Sequence, residues 1–305
     1  MRVGGIRSKS IGMGFRTVVV KSRAKLEVRL NSLIVRGEQE KKIFLDEINT
    51  LIVQSTAVSL TASLLCELMK RNIKVIFCDE KHNPQSELLP YYGAHNASKR
   101  CKEQFAWDVG VRARIWREIV KKKIETQAAH LLDGGFEEQG LLLLSYLSQV
   151  QDNDVTNREG HAAKVYFNCL LGMGNSRKAG GFLNGCLNYG YAVLLSAFNR
   201  EIVASGYLTQ VGIWHDNEFN PFNLASDLIE PFRVAVDRTA VALRDGDVDF
   251  KKKMVNVLNY ETRIDGKRTT LDLAIRQFTR SVFHALEQKD ETLLVFPERI
   301  EQNEL

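Results

Sequence analysis

The stretch from Asp79 to Asn96, DEKHNPQSELLPYYGAHN, divides the chain into two unlike parts. It holds two of the five prolines beside a glycine and two asparagines, and no regular apolar period runs through it. Prolines at this density interrupt helical and strand hydrogen bonding alike, so the stretch reads as a linker. Before it lie short runs rich in β-branched and aromatic residues: FRTVVV, AKLEVRL, SLIVRG, KKIFL, INTLIVQ and, after the helix-like VSLTASLLCELMKRN, IKVIFC. These suit half-buried pleated strands, with a turn expected at Asn31-Ser32.

Beyond the linker the spacing becomes helical. Ser98 is expected to cap a long helix in which Phe105, Val109, Arg112, Trp116, Ile119 and Lys123 recur at three- and four-residue steps, ending at Asp133-Gly134-Gly135. Further helices are expected over 136–150, 157–171, 184–205, about 224–244, 250–259 and 269–289, with a tight turn at Asp265-Gly266 between short extended pieces. The expected class is therefore α+β, an N-terminal β-rich domain followed by a larger all-α helical domain. The expected boundaries are a disordered leader over 1–12 ahead of a natural start at Met13, a β-rich domain over 13–92 and a helical domain over 93–305.

Composition narrows the function classes. Of the 305 residues 44% are hydrophobic and 26% charged, which excludes a disordered or fibrous chain. The longest apolar run, LLLLSYL at 141–147, falls short of the roughly 18 residues that cross a bilayer. MRVGGIRSKSIG at the start lacks the apolar segment of a secretory signal, so a cytoplasmic location without membrane association is expected. Cys66, Cys78, Cys101, Cys169 and Cys186 show no CxxC spacing; neither a zinc site nor a disulfide framework follows, and burial as small apolar residues is expected. A net charge of +5 suits nucleic acid only if it is clustered. Lys121–Lys123 and Lys251–Lys253 are two such clusters, to be read as DNA-backbone contacts or as solvated helix surface.

Three segments carry chemistry. Glu159 in TNREGHAAKVYFN, His215 in GIWHDNEFNPFN and Glu230 in LASDLIEPFR offer two carboxylates and an imidazole, a hard donor set that Mg²⁺ or Mn²⁺ accepts. Each residue also has a plainer reading. Thr156 and Glu159 form a capping box, His215 is an exposed loop histidine, and Asp227 and Glu230 are acids favoured in a first helical turn beside Pro231. Tyr166, two helical turns after Glu159, reads either as a substrate contact on the same face or as a core tyrosine with a bonded hydroxyl. Arg233 and Arg238 follow on the same helix, placed to clamp a phosphate or to face solvent.

The phrases NREGHAAKVYFN, LNYGYAVLLS and FNPFNLASDLIEPFR, in that order, resemble the spacer-acquisition integrase of CRISPR systems, in the version that accompanies type II RNA-guided nucleases. FRTVVV and the linker phrase extend the resemblance from Met13 to about residue 290. It implies that Glu159, His215 and Glu230 are the metal ligands and catalytic residues, the last acid being a choice between Glu230 and Asp227 in which Glu230 is preferred and Asp227 supports it. It implies a DNA endonuclease and integrase of antiviral CRISPR adaptation, joining a fragment's 3′-hydroxyl to double-stranded DNA of the CRISPR repeat with Mg²⁺ or Mn²⁺. It further implies a homodimer joined through the β-rich domains, a small ferredoxin-like adaptation subunit, and cooperation with a DNA-end-binding ring protein and the RNA-guided nuclease. Two other readings use the same residues: a hydrolytic DNase on branched or single-stranded DNA, and a non-catalytic DNA-binding scaffold in which they serve as caps and salt bridges.

Overall fold

The first hairpin closes on Leu30 and Asn31, whose φ angles of 46° and 59° are both left-handed. Two such residues make the mirror-image turn whose twist matches its strands, and Arg29 then pairs with Ser32. The turn thus sits one residue earlier than Asn31-Ser32, and Ser32 opens the next strand. The computed structural model describes residues 16–91, 94–172 and 180–299, so the expectation for residues 1–12 lies outside the described residues.

By its contacts the chain divides into two units, 1–90 and 91–305. The first contains β1 (Arg16–Val20), β2 (Ala24–Arg29), β3 (Ser32–Arg36), β4 (Glu40–Phe44), β5 (Ile48–Val53), β6 (Val58–Leu60), α1 (Ala62–Lys70), β7 (Lys74–Cys78) and β8 (Pro84–Leu88). One sheet runs β1-β5-β7-β8, parallel except for β8; the other runs β4-β3-β2-β6. Leu26, Leu33, Leu45, Leu51, Leu64 and Val75 form the core between them, each worth about 1.5–3 kcal/mol relative to exposure.

Two elements depart from the sequence expectation. Val58–Leu60, inside the run read as helix, is a strand because Ala24 and Leu26 of β2 offer it parallel partners; α1 begins only after Thr61, whose side chain accepts from Leu64 N. Pro84–Leu88, inside the linker, is an edge strand. Proline is tolerated there, and the buried Lys74–Glu87 ion pair ties β8 to β7.

The second unit contains α2 (Ala97–Phe105), α3 (Val109–Asp133), α4 (Glu137–Tyr146), α5 (Arg158–Leu171), α6 (Phe182–Ala204), α7 (Asn223–Leu228), α8 (Arg233–Val241), α9 (Phe250–Asn256) and α10 (Leu271–Gln288). It is not purely helical: β9 (Glu261–Ile264), β10 (Lys267–Thr270) and β11 (Glu298–Arg299) form a small antiparallel sheet, with Asp265-Gly266 turning between the first two. The long helix expected from Ser98 is two helices. Asp108 caps the second, its carboxylate accepting from Val111 N at 2.9 Å, so the chain breaks there and Phe105 and Val109 end up exposed. From that cap α3 runs 25 residues to Asp133, burying Val111, Ile115, Trp116, Ile119 and Ile124 and touching α4, α5, α8 and α10. On α6, Gly190 lets α8 approach: a Cβ there would lie 2.4 Å from Val236.

Candidate metal centre

Glu159 enters from the first turn of α5. Asn153, Asp154 and Asn157 ahead of it all have positive φ, a conformation Asn and Asp tolerate because their side chains bond locally. Asp154 caps the helix, its two oxygens accepting from Arg158 N and Glu159 N at 2.9 Å each. Thr156 instead donates to Gln149 O, so the Thr156–Glu159 capping box does not form. The Glu159 carboxylate is thereby free to point at α3, where it meets the Lys123 ammonium.

Glu230 is brought in by a helix break. Pro231 has no N–H to give back to the preceding turn, so α7 stops at Leu228 and Glu230–Phe232 form a single 3-10 turn before α8. A buried Glu230 side chain results. Its Oε1 accepts from Arg233 Nε at 3.0 Å, and its Oε2 lies 2.5 Å from Lys123 Nζ. The buried Oε2 thus shares the Lys123 ammonium with Glu159.

His215 stands on the loop between α6 and α7, which Asp227 organises from behind. The fully buried Asp227 accepts from Ile213 N at 2.6 Å, Trp214 N at 3.1 Å and His215 N at 3.0 Å, and from His215 Nδ1 at 2.6 Å. Arg112 donates to the carbonyls of Gly212 and Ile213, and Gln104 to those of Leu208 and Val211. The Trp214 ring stacks on buried Trp116 at 5.0 Å, with the imidazole edge-on to both. Nδ1 is committed to Asp227, which leaves Nε2 as the nitrogen able to ligate.

Lys123 lies between the two glutamates. It occupies the buried face of α3 one turn beyond Ile119, and its ammonium bridges Glu159 and Glu230. Burial pulls its pKa down, but the charges of Glu230 and Glu159 outweigh burial and the opposing Arg233, so the net shift is upward and the amine stays charged. Burial likewise favours a neutral Glu230; Arg233 and Lys123 overcome it and hold the carboxyl at about 2. Burial also lowers the His215 pKa, and the hydrogen bond and charge of Asp227, helped by Glu230 and Glu159, raise it on balance. The imidazole is therefore within electrostatic reach of both glutamates.

The structure thus brings Glu159 and Glu230 onto one cation, with His215 within electrostatic reach of both. Among the described residues no three acid, imidazole or thiol groups converge as a finished ligand set, the point between the glutamates being taken by the ammonium. The donors nevertheless fit a hard divalent ion. Two carboxylates from separate segments share a cation, and an oriented imidazole lies within electrostatic reach of both.

Tyr166 is a core residue: its hydroxyl donates to Asp237 at 2.9 Å and meets His130 Nδ1 at 2.6 Å. Arg233 pairs with Glu230 and lies over the Tyr191 ring, while Arg238 pairs with Asp133 at 2.7 Å, away from the glutamates. Of the first lysine triplet, Lys121 and Lys122 pair with Glu118 and Glu125 on the same helix; Lys123 belongs to neither surface reading. Cys78 and Cys186 are buried as expected, but Cys66 is exposed and Cys101 and Cys169 are half-buried, because their positions face outward from their helices.

A β-rich unit followed by a helical unit, with carboxylates from two separated segments meeting one buried ammonium, defines an α+β protein with a candidate cation centre in its helical part. Residues 17–264 match the model of the family described as CRISPR associated protein Cas1, and the chain belongs to that family. It is 30% identical over 294 residues to the CRISPR-associated endonuclease Cas1 of Neisseria meningitidis serogroup C (strain 8013), covering 94% of this chain and 97% of that protein. Its fold is similar to that of a casposase bound to integration product, with a TM-score of 0.75, 22% identity and coverage of 95% and 97% of the two chains. It is also similar to a chain of a Cas6-RT-Cas1–Cas2 complex, with a TM-score of 0.73 at 18% identity, over 99% of this chain and 37% of that one. Among the described residues no helix is long and apolar enough to cross a membrane.

Proposed function

We propose that this Cas1 protein is a divalent-metal-dependent DNA endonuclease and integrase of CRISPR adaptation, acting in the cytoplasm and holding Mg²⁺ or Mn²⁺ with Glu159, His215 and Glu230. The observation that carries the reading is the shared cation. Carboxylates 71 positions apart in the sequence both meet Lys123 Nζ, and Asp227 holds the ring of His215, which lies within electrostatic reach of both. A bound divalent ion supplies Lewis-acid chemistry, polarising a phosphoryl oxygen and favouring the deprotonated attacking hydroxyl.

The chain's own groups do the rest. Arg233 keeps Glu230 ionised, Asp154 and Asp227 fix the backbone of the two other ligand segments, and Lys123 and Arg233 add positive charge where a phosphodiester would approach. The incoming 3′-oxygen forms a P–O bond as the target strand's 3′-oxygen leaves with a proton. One phosphodiester replaces another, so no nucleotide triphosphate is consumed. Resemblance to a chain of a Cas1–Cas2 assembly supports a small partner subunit, and to a casposase bound to integration product supports DNA joining. A homodimer through the β-rich domain, 13–92, completes the proposed assembly, with the catalytic centre in 93–305.

The test is a fluorescent DNA fragment incubated with a repeat-containing plasmid, Mn²⁺ and the partner subunit. Joined products are expected from the wild type and none from Glu159→Ala or His215→Ala, with both variants retaining their melting temperature within a few degrees. Shortened strands alone would indicate hydrolysis, and metal-independent DNA binding without joining or cleavage would indicate a scaffold.

A further inference from the structure

We propose that Lys123 is a resident counter-ion of the metal centre, an ammonium that occupies the position between Glu159 and Glu230 until a divalent ion displaces it. The inference rests on the metal reading above and adds a competitor to it.

Three observations converge. Lys123 is only 6% exposed, on the face of α3 that otherwise buries Trp116, Ile119 and Val120. A lysine among such neighbours is expensive to bury unless it is paired, and here it has two carboxylates from two other segments. With Arg233 on Glu230, the four charges cancel, so the centre is neutral without metal. Nothing about folding requires metal to hold the two acids together.

The same arithmetic makes metal and ammonium mutually exclusive. Two like charges cannot share the space between two carboxylates, and the flexible four-carbon stem of lysine lets the ammonium withdraw while its backbone stays in α3. A divalent ion arriving there leaves the centre with excess positive charge, which an incoming phosphodiester neutralises. The consequence is a loading threshold: free divalent ion must outcompete a tethered cation before the nuclease centre is complete.

Mn²⁺ binding, followed by electron paramagnetic resonance on the full chain without DNA, tests this directly. Lys123→Met keeps length and removes the competitor, so its Mn²⁺ affinity is expected to rise roughly tenfold, the scale for removing one charge from a closely paired site. Lys123→Arg keeps the charge and should bind near the wild-type value. In EDTA the methionine variant should melt lower than wild type, and Mn²⁺ should close the gap. Should that variant not fold without metal, reductive methylation of the wild type gives the same information: Lys123 is expected to be protected in EDTA and to react when Mn²⁺ is present. Equal or weaker Mn²⁺ binding by Lys123→Met, or equal protection with and without Mn²⁺, overturns the counter-ion role. Binding by neither protein overturns the metal reading itself.

Discussion

His215 Nδ1 donates to Asp227 Oδ1 at 2.6 Å, and the same carboxylate receives three consecutive backbone N–H groups from Ile213 to His215. One buried side chain therefore fixes both the loop and the ring tautomer. Asp227 is a positioning residue. Asp227→Asn preserves shape but replaces one acceptor oxygen by a donor facing donors. It is expected to cost about 2–3 kcal/mol of stability, from a buried charged hydrogen-bond centre, and about ten- to a hundredfold in Mn²⁺ affinity. Chemical denaturation and Mn²⁺ titration check the two; an unchanged affinity would show that the imidazole needs no orientation.

Gly212 supplies the room that this arrangement needs. A Cβ at that position would lie 2.3 Å from His215 O and 2.7 Å from Asp227 Oδ2, and backbone oxygen cannot yield as a flexible side chain can. Gly212→Ala is expected to push the loop off Asp227 and reduce strand joining at least tenfold, while leaving α3 and α6 intact by circular dichroism. Because Trp214 stacks on Trp116, the displacement should also appear as a change in tryptophan emission.

Tyr166 separates structure from chemistry. Its hydroxyl is buried between Asp237 and His130, and Tyr191 also donates to Asp237, so Tyr166→Phe leaves buried acceptors short of one donor. A loss of about 1–3 kcal/mol is expected, with Mn²⁺ affinity unchanged and joining within a few-fold of wild type at a temperature where the variant is folded. A selective loss of joining without loss of stability would return Tyr166 to the substrate side.

The strands from Arg16 to Val53 and most helices were legible because burial imposes its period on the sequence. What was missed was decided by partners distant in sequence. Val58–Leu60 is a strand through pairing with β2, and Pro84–Leu88 through pairing with β7. At the centre, the ligand segments were readable as acids and imidazole in unusual local sequence. Asp154's capping role was not, since it depends on a run of left-handed residues no local pattern announces. Lys123 did leave a signal: it falls at the helical spacing of Trp116 and Ile119, a charge on a core face, yet its lysine neighbours made it look like solvated surface. A charge out of phase with its own helix asks for a buried partner.

The raised pKa of His215 gives two pH effects of opposite sign. Burial works against the rise and the Asp227 carboxylate, with Glu230 and Glu159, drives it above the ordinary 6.5 in the metal-free protein. A raised folded value stabilises fully below the unfolded value and the benefit is lost as pH rises through the folded one. In EDTA the melting-temperature gap between wild type and His215→Gln should therefore narrow as pH rises above 6.5, while wild-type Mn²⁺ affinity, which needs neutral imidazole, rises in the same direction. Trends of the same sign would contradict the assignment.

The central claim is that Glu159, His215 and Glu230 hold one divalent ion. A crystal soaked in Mn²⁺, with diffraction recorded at the manganese edge, tests it most directly. The expected result is a single anomalous peak within ligand distance of the two glutamate carboxylates and His215 Nε2, with the Lys123 ammonium moved off the line between the acids. A peak elsewhere, or full soaking with no peak and Lys123 still bridging, would contradict it.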